Sequence, residues 1–146
     1  MTMEAPREVA GRWRDGFNAH DEQTMRALTA PDATLTAPPQ ITVEGAEAVT
    51  AYAMAWANAF PNAKIDVHHE TVEGDTVVQE FTFNGTHLAT LSGPSGDVPA
   101  TNKQLAGRGT QTIVVRDGVV HEFRLYFDQV DVMTQLGLMP TATAAG

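Results

Sequence analysis

The dominant hydrophobic period of this chain changes near Pro61-Asn62, and that change decides what it can fold into. Before it, apolar residues recur every three or four positions, as on one face of a helix. After it they alternate, as on one face of a strand. Val9, Trp13 and Phe17 form one stripe and predict a helix over Glu8 to Asn18. Asp21 can cap a short second helix from Glu22 to Leu28, with Met25 and Leu28 turned inward. Ala33 to Ala37 reads as a short strand stopped by Pro38-Pro39. The clearest helix runs from Gly45 to Phe60; it is Ala-rich, and Val49, Tyr52, Ala53, Trp56 and Phe60 share a face. Pro61 ends it, since proline cannot continue the backbone ladder.

Beyond this point Lys64 to Val72 alternates, Gly74-Asp75 turns, and Thr76 to Thr90 makes a long strand in which Gly85 marks a bulge or bend. Ser92 to Leu105 is a long Gly/Pro-rich loop, expected to act as a lid. The last hairpin joins Gly107–Arg116 to Val119–Phe127 through Asp117-Gly118, and a short helix from Asp131 to Leu136 is closed by Gly137. A two-residue turn would pair Arg116 with Val119. A three-residue loop with a Gly bulge would pair Val115 with Val119 and set Gln111, Ile113 and Val115 on one face with His121, Phe123, Leu125 and Phe127. The second register gives one coherent apolar face and is preferred; Arg108, Thr110, Thr112, Glu122, Arg124, Tyr126 and Asp128 then share the polar face. Three helices followed by antiparallel strands is an α+β order, not βαβ. The length of 146 residues suits a single domain over 1–140, with a small-residue tail at 141–146 expected to be flexible.

The absence of cysteine excludes disulfides, thiolate metal sites and cysteine nucleophiles. The net charge of -9, from 18 acidic and 9 basic residues, disfavours a phosphate backbone as partner, and no basic stripe is present. The N-terminal run MTMEAPREVAGRW lacks the pattern of a signal peptide, and no stretch is apolar enough to span a membrane. Cytoplasmic location is the default expectation, and no membrane or nucleic-acid partner is expected. No Gly-x-Gly-x-x-Gly fingerprint, phosphate loop or Gly-x-Ser-x-Gly elbow occurs, so no cofactor is expected.

Three side chains are candidates for catalysis. His121, on the apolar face, would titrate below its free value through desolvation and could act as a base; equally it could be a core histidine satisfied by Gln111 or a backbone carbonyl. His87 follows the Gly85 bend and leads into the long loop, either at a pocket mouth or as an exposed strand-end residue. Asp128 could pair with Arg124 or Arg108, or be swung inward by a bulge near Tyr126. Asp66, His68 and Glu70 alternate on one strand face, but at ~6.6–6.8 Å between alternate residues they cannot converge on one ion, and no metal site is expected. The stripe of Trp13, Phe17, Tyr52 and Trp56 is either core or the wall of a pocket.

The run from Asp117 to Asp128, closing with Gln135-Leu136-Gly137, resembles the C-terminal hairpin of the SnoaL-like polyketide cyclases, within the nuclear transport factor 2-like and ketosteroid isomerase-like folds. Phe17-Asn18-Ala19-His20-Asp21, Ala59-Phe60-Pro61-Asn62, Gly85-Thr86-His87, Val98-Pro99-Ala100-Thr101 and Arg108-Gly109 agree in order, so the resemblance covers nearly the whole chain. It implies a cone-shaped, curved antiparallel sheet wrapped around the N-terminal helices, an internal pocket, and a homodimer packed sheet to sheet. It also implies a cyclase- or isomerase-like activity on a small apolar, cyclic or aromatic, polyketide-like molecule. Trp13, Phe17, Tyr52, Trp56, Gln111, Phe123, Leu125 and Phe127 would line the pocket. In the cyclases a His stands at the Gln111 position and an acid–base Asp at the Leu125 position. Related epoxide hydrolases pair that Asp with an Arg-x-Asp on an earlier strand, which here reads Gln79-Glu80-Phe81-Thr82-Phe83. Leucine cannot move a proton and glutamine is no base at neutral pH. A non-catalytic binding protein and an epoxide-hydrolase-like enzyme with a rearranged site therefore stand beside the cyclase reading.

Overall fold

A computed structural model describes residues 5–93 and 96–139 of the chain. The expected tail at 141–146 lies outside the described residues. Helix α1 spans Pro6–Asn18, with proline at its first turn, where no backbone donor is lost, and it buries Val9, Ala10, Trp13 and Phe17. Helix α2, Glu22–Ala27, is capped by Asp21, whose carboxylate accepts the Thr24 N–H at 3.1 Å and the Thr24 hydroxyl at 2.6 Å. Strand β1 covers Thr29–Ala37 and β2 covers Ile41–Glu44. Helix α3, Ala46–Ala59, follows Gly45 and turns Val49, Ala53 and Ala57 into the core. Strands β3 (Lys64–Glu73) and β4 (Thr76–Thr86) form a hairpin, β5 (Leu91–Gly93) and β6 (Gly96–Val98) a small separate one, and β7 (Gln104–Arg116) and β8 (Val119–Phe127) the last. Helix α4, Gln129–Gln135, closes the described chain.

Six strands form one curved sheet in the order β2-β1-β8-β7-β4-β3, with the helices covering its concave face. The fold is α+β, as expected. The sheet is not wholly antiparallel: β1 runs parallel to β8, because the chain returns to that edge only after the whole helix and hairpin excursion. Strand β2 was not expected, and the stretch read as one loop from Ser92 to Leu105 contains the β5–β6 hairpin. The core is the space between α1, α3 and the sheet, where Trp13 stacks obliquely on Phe123 and Phe60 meets Phe83 edge-on.

The register of β7 and β8 corrects the sequence expectation in one detail with consequences. Asp117 (φ 54) and Gly118 (φ 76) make a two-residue turn, so Arg116 pairs with Val119 rather than Val115. The bulge comes later: Val115 pairs with Val120 and Val114 with Glu122, leaving His121 as the extra residue. From there Ile113 faces Phe123 and Gln111 faces Leu125, so the expected apolar face is recovered without His121. A second bulge at His68 separates Asp66 from Glu70 on β3, turning Glu70 to the concave side opposite Gln79.

Candidate functional site

Between α1, α3 and the concave face lies a small inner chamber of about 90 Å³. The eight side chains expected on a pocket wall, Trp13, Phe17, Tyr52, Trp56, Gln111, Phe123, Leu125 and Phe127, all line it. Leu35, Ile65, Phe81, Phe83, Leu105 and Val132 also belong to the wall and were not singled out from sequence. The period-2 reading of β4 carried a signal for two of them, since Val77, Gln79, Phe81 and Phe83 occupy alternate positions and are buried. Trp56 organises the chamber: its ring stacks on Phe60 at 5.9 Å and meets Phe83 and Phe127 edge-on at 5.7 and 5.8 Å.

Tyr52, Trp56, Phe127 and Val132 also border a wider outer chamber of about 510 Å³. Its far walls are the Pro38-Pro39 turn, β2, α4 and the β5–β6 hairpin, through Leu91, Asp97 and Val98. The long loop thus forms one wall of the approach to the inner chamber. Tyr52 stands at the neck between the two. Burial pushes its phenol above the ordinary value of 10.0, with Trp56 acting in the opposite sense, so the hydroxyl stays protonated at neutral pH.

Gln111 is the other oxygen-bearing side chain on the inner wall among the described residues. Its Nε2 donates to Gln79 Oε1 at 3.0 Å, and Gln79 Nε2 donates to Glu70 Oε2 at 2.8 Å. Arg7 of α1 binds the other Glu70 oxygen at 2.9 Å. Gln79 is fully buried. A polar line therefore crosses three strands from the surface to the chamber. Sequence reasoning took Glu70 as part of a solvated face and did not single out Gln79.

The three catalytic candidates lie elsewhere. His121, expected inward, lines neither chamber; as the bulged residue it leaves the apolar face and sits 3.9 Å from Asp32 of β1, although its Nε2 is buried without a partner among the described residues. His87 is fully buried rather than at a pocket mouth or exposed. Its Nδ1 accepts the Thr101 backbone N–H at 3.2 Å and lies 3.1 Å from the Thr101 hydroxyl. Its own backbone N–H donates to the Lys103 carbonyl, and its carbonyl accepts from Asn102. His87 thus ties together the two ends of the excursion that carries β5 and β6. Burial lowers its pKa from 6.5, with backbone groups of Ala89 and Val98 opposing. Asp128 forms no pair with Arg124, which binds Glu122 at 2.7 Å; it caps α4 by accepting the Asp131 N–H at 3.0 Å.

Comparisons with known proteins agree with this geometry. A family model described as SnoaL-like polyketide cyclase matches residues 7–136. A protein from Jannaschia sp. CCS1 assigned to the SnoaL-like polyketide cyclases is 25% identical, with a TM-score of 0.80 over 92% of this chain and 93% of its own. IdmH from Streptomyces antibioticus, assigned as a polyketide cyclase, is 25% identical, with a TM-score of 0.75 over 92% of this chain and 99% of its own. A protein of ketosteroid isomerase-like fold from Catenulispora acidiphila, solved with trimethylamine, is 18% identical with a TM-score of 0.74 over 93% and 96% of the two chains, a likeness of fold alone. No curated protein matches the chain. No helix among the described residues is long and apolar enough to cross a membrane.

Proposed function

We infer the function from one premise: the chain belongs to the SnoaL-like polyketide cyclase family. It is a cyclase- or isomerase-like pocket protein, and an apolar cyclic or aromatic, polyketide-like molecule enters its inner chamber past the neck at Tyr52 and extends into the outer chamber. The observation that carries this reading is the chamber wall, built from aromatic and aliphatic side chains with Gln111 and Tyr52 as its oxygen-bearing groups.

Such a wall acts by holding and polarising rather than by transferring protons. It presents no carboxylate or imidazole among the described lining residues, so the proton-transfer roles expected of His121, His87 and Asp128 are not part of this reading. The neutral Tyr52 hydroxyl can donate to a substrate carbonyl and stabilise the charge that develops there on enolisation. The close aromatic walls restrict a flexible substrate to folded conformers, which lowers the entropic barrier to ring closure.

The test is ring closure of a linear aromatic polyketide mimic followed by absorbance across pH. The expected rate is flat between about pH 6 and 8, because neither a phenol nor an amide titrates there. A sigmoid centred near the ordinary histidine pKa of ~6.5 would return the chemistry to a histidine and overturn this account. A second reading, a non-catalytic binder, is favoured by one observation: Leu125 faces Gln111 where an acid–base pair would stand. Recovery of the mimic bound and unchanged would select it.

A further inference from the structure

The polar line behind Gln111 sets which end of its amide meets the chamber. Glu70 and Gln79 are direct cross-strand partners, as are Gln79 and Gln111. An ionised carboxylate only accepts hydrogen bonds, so the atom of Gln79 that lies 2.8 Å from Glu70 is its N–H. Gln79 must then turn its oxygen toward β7. That oxygen only accepts, so the Gln111 atom 3.0 Å away is also an amide N–H. Arg7 fixes the carboxylate from the far side. The two ends of a glutamine amide are ordinarily close to interchangeable; here the charge on Glu70 orients both amides in sequence. With one N–H of its amide committed to β4, Gln111 turns its oxygen away from β4.

We propose that Gln111 presents an acceptor oxygen to the inner chamber and so selects, among apolar cyclic molecules of one shape, those carrying a hydroxyl or another hydrogen-bond donor. This inference rests on the reading of the chamber as a ligand pocket and adds the polarity of the ligand to it. A ligand without a donor would strip water from the Gln111 oxygen and leave it unpaired in apolar surroundings. A carbonyl in the same place would set lone pair against lone pair. Gln111 is on this account a specificity-determining residue, and Gln79 and Glu70 are positioning residues.

The experiment measures dissociation constants of the full chain for four probes of one skeleton: naphthalene, 2-naphthol, 2-methoxynaphthalene and 2-acetylnaphthalene. The naphthol is expected to bind about five- to tenfold more tightly than the hydrocarbon and the methyl ether, the span of one ordinary hydrogen bond. Gln111→Leu should erase that preference while still binding naphthalene. Glu70→Gln, at a half-buried position, removes the charge that orients the line; it should narrow the naphthol preference and improve binding of the ketone. Equal binding of naphthol and its ether by the wild type, tighter binding of the ketone, or a preference untouched by Gln111→Leu would overturn the acceptor assignment and leave the pocket standing. A preference untouched by Glu70→Gln would overturn the orienting role of Glu70. Failure of all four probes to bind would overturn the ligand-pocket reading and this inference with it.

Discussion

His87 has no surface in water, yet its Nδ1 is an acceptor for the Thr101 backbone. Protonation would abolish that acceptor and bury a charge. The folded pKa is therefore held below the unfolded value of 6.5, so the unfolded chain takes up the proton first. The stability contributed by the neutral ring is complete above about pH 6.5 and is lost as pH falls through the lower folded value. Thermal melting between pH 7 and pH 5 should accordingly fall more steeply for the wild type than for His87→Gln, even though the variant melts lower throughout. Equal slopes would mean that the ring protonates as readily in the fold as out of it. The position was legible from sequence only as a histidine next to a bend. Its burial was not, because that depends on Phe60, which stacks on the ring at 5.0 Å, and on the returning segment Thr101 to Lys103 that precedes β7.

At the scale of elements, β4, β7 and β8 pack closely at Gly109. A Cβ built there would stand 2.8 Å from the Tyr126 carbonyl and 2.9 Å from Cζ of Phe81. The space a side chain would need is taken by the Phe81 ring, part of the chamber wall. Gly109→Ala is expected to cost about 2–3 kcal/mol in urea unfolding, the upper part of the range for overpacking a close-packed interior. Gly74, in the β3–β4 turn, has φ +58 and nothing within 4 Å of a built Cβ. Gly74→Ala should cost only about 1 kcal/mol, from backbone conformation alone. Similar costs at the two sites would contradict the steric account of Gly109. The hairpins themselves were readable from Gly74-Asp75 and Asp117-Gly118. Strand β2 was not, since four residues after a proline pair carry too short a pattern.

For the molecule as a whole, the chamber is where the helix layer and the sheet meet, and its polarity is the property on which function turns. Leu125→Asp would place a carboxylate opposite Gln111 in that apolar space. Desolvation would raise its pKa above the free value of ~3.9, so the folded state would lose stability as pH rises from there through the raised value. The variant should lose stability at every pH through the missing leucine side chain, and should lose about 2–4 kcal/mol more at pH 7 than at about pH 4, as expected for burying a poorly paired charge. A small and pH-independent loss would show the chamber to be wetted through its neck, and would weaken the case for an apolar ligand.

The sequence by itself determined the class of fold and pointed to half of the residues that line the inner chamber. Periods of 3.6 and 2 are local properties, and the side chains they turn to one face, from Trp13 to Phe127, are the ones that meet inside. Only the tertiary structure decided which strands lie together, that β1 runs parallel to β8, and where the bulges fall. A bulge is a mismatch of one residue between two partners, and neither strand records it alone. The bulge at His121 takes a histidine off the chamber face, and the bulge at His68 brings Glu70 onto the face it shares with Gln79. The chemistry of the site therefore depends on pairing between strands far apart in the chain, and that pairing is settled only when the whole sheet closes around its core.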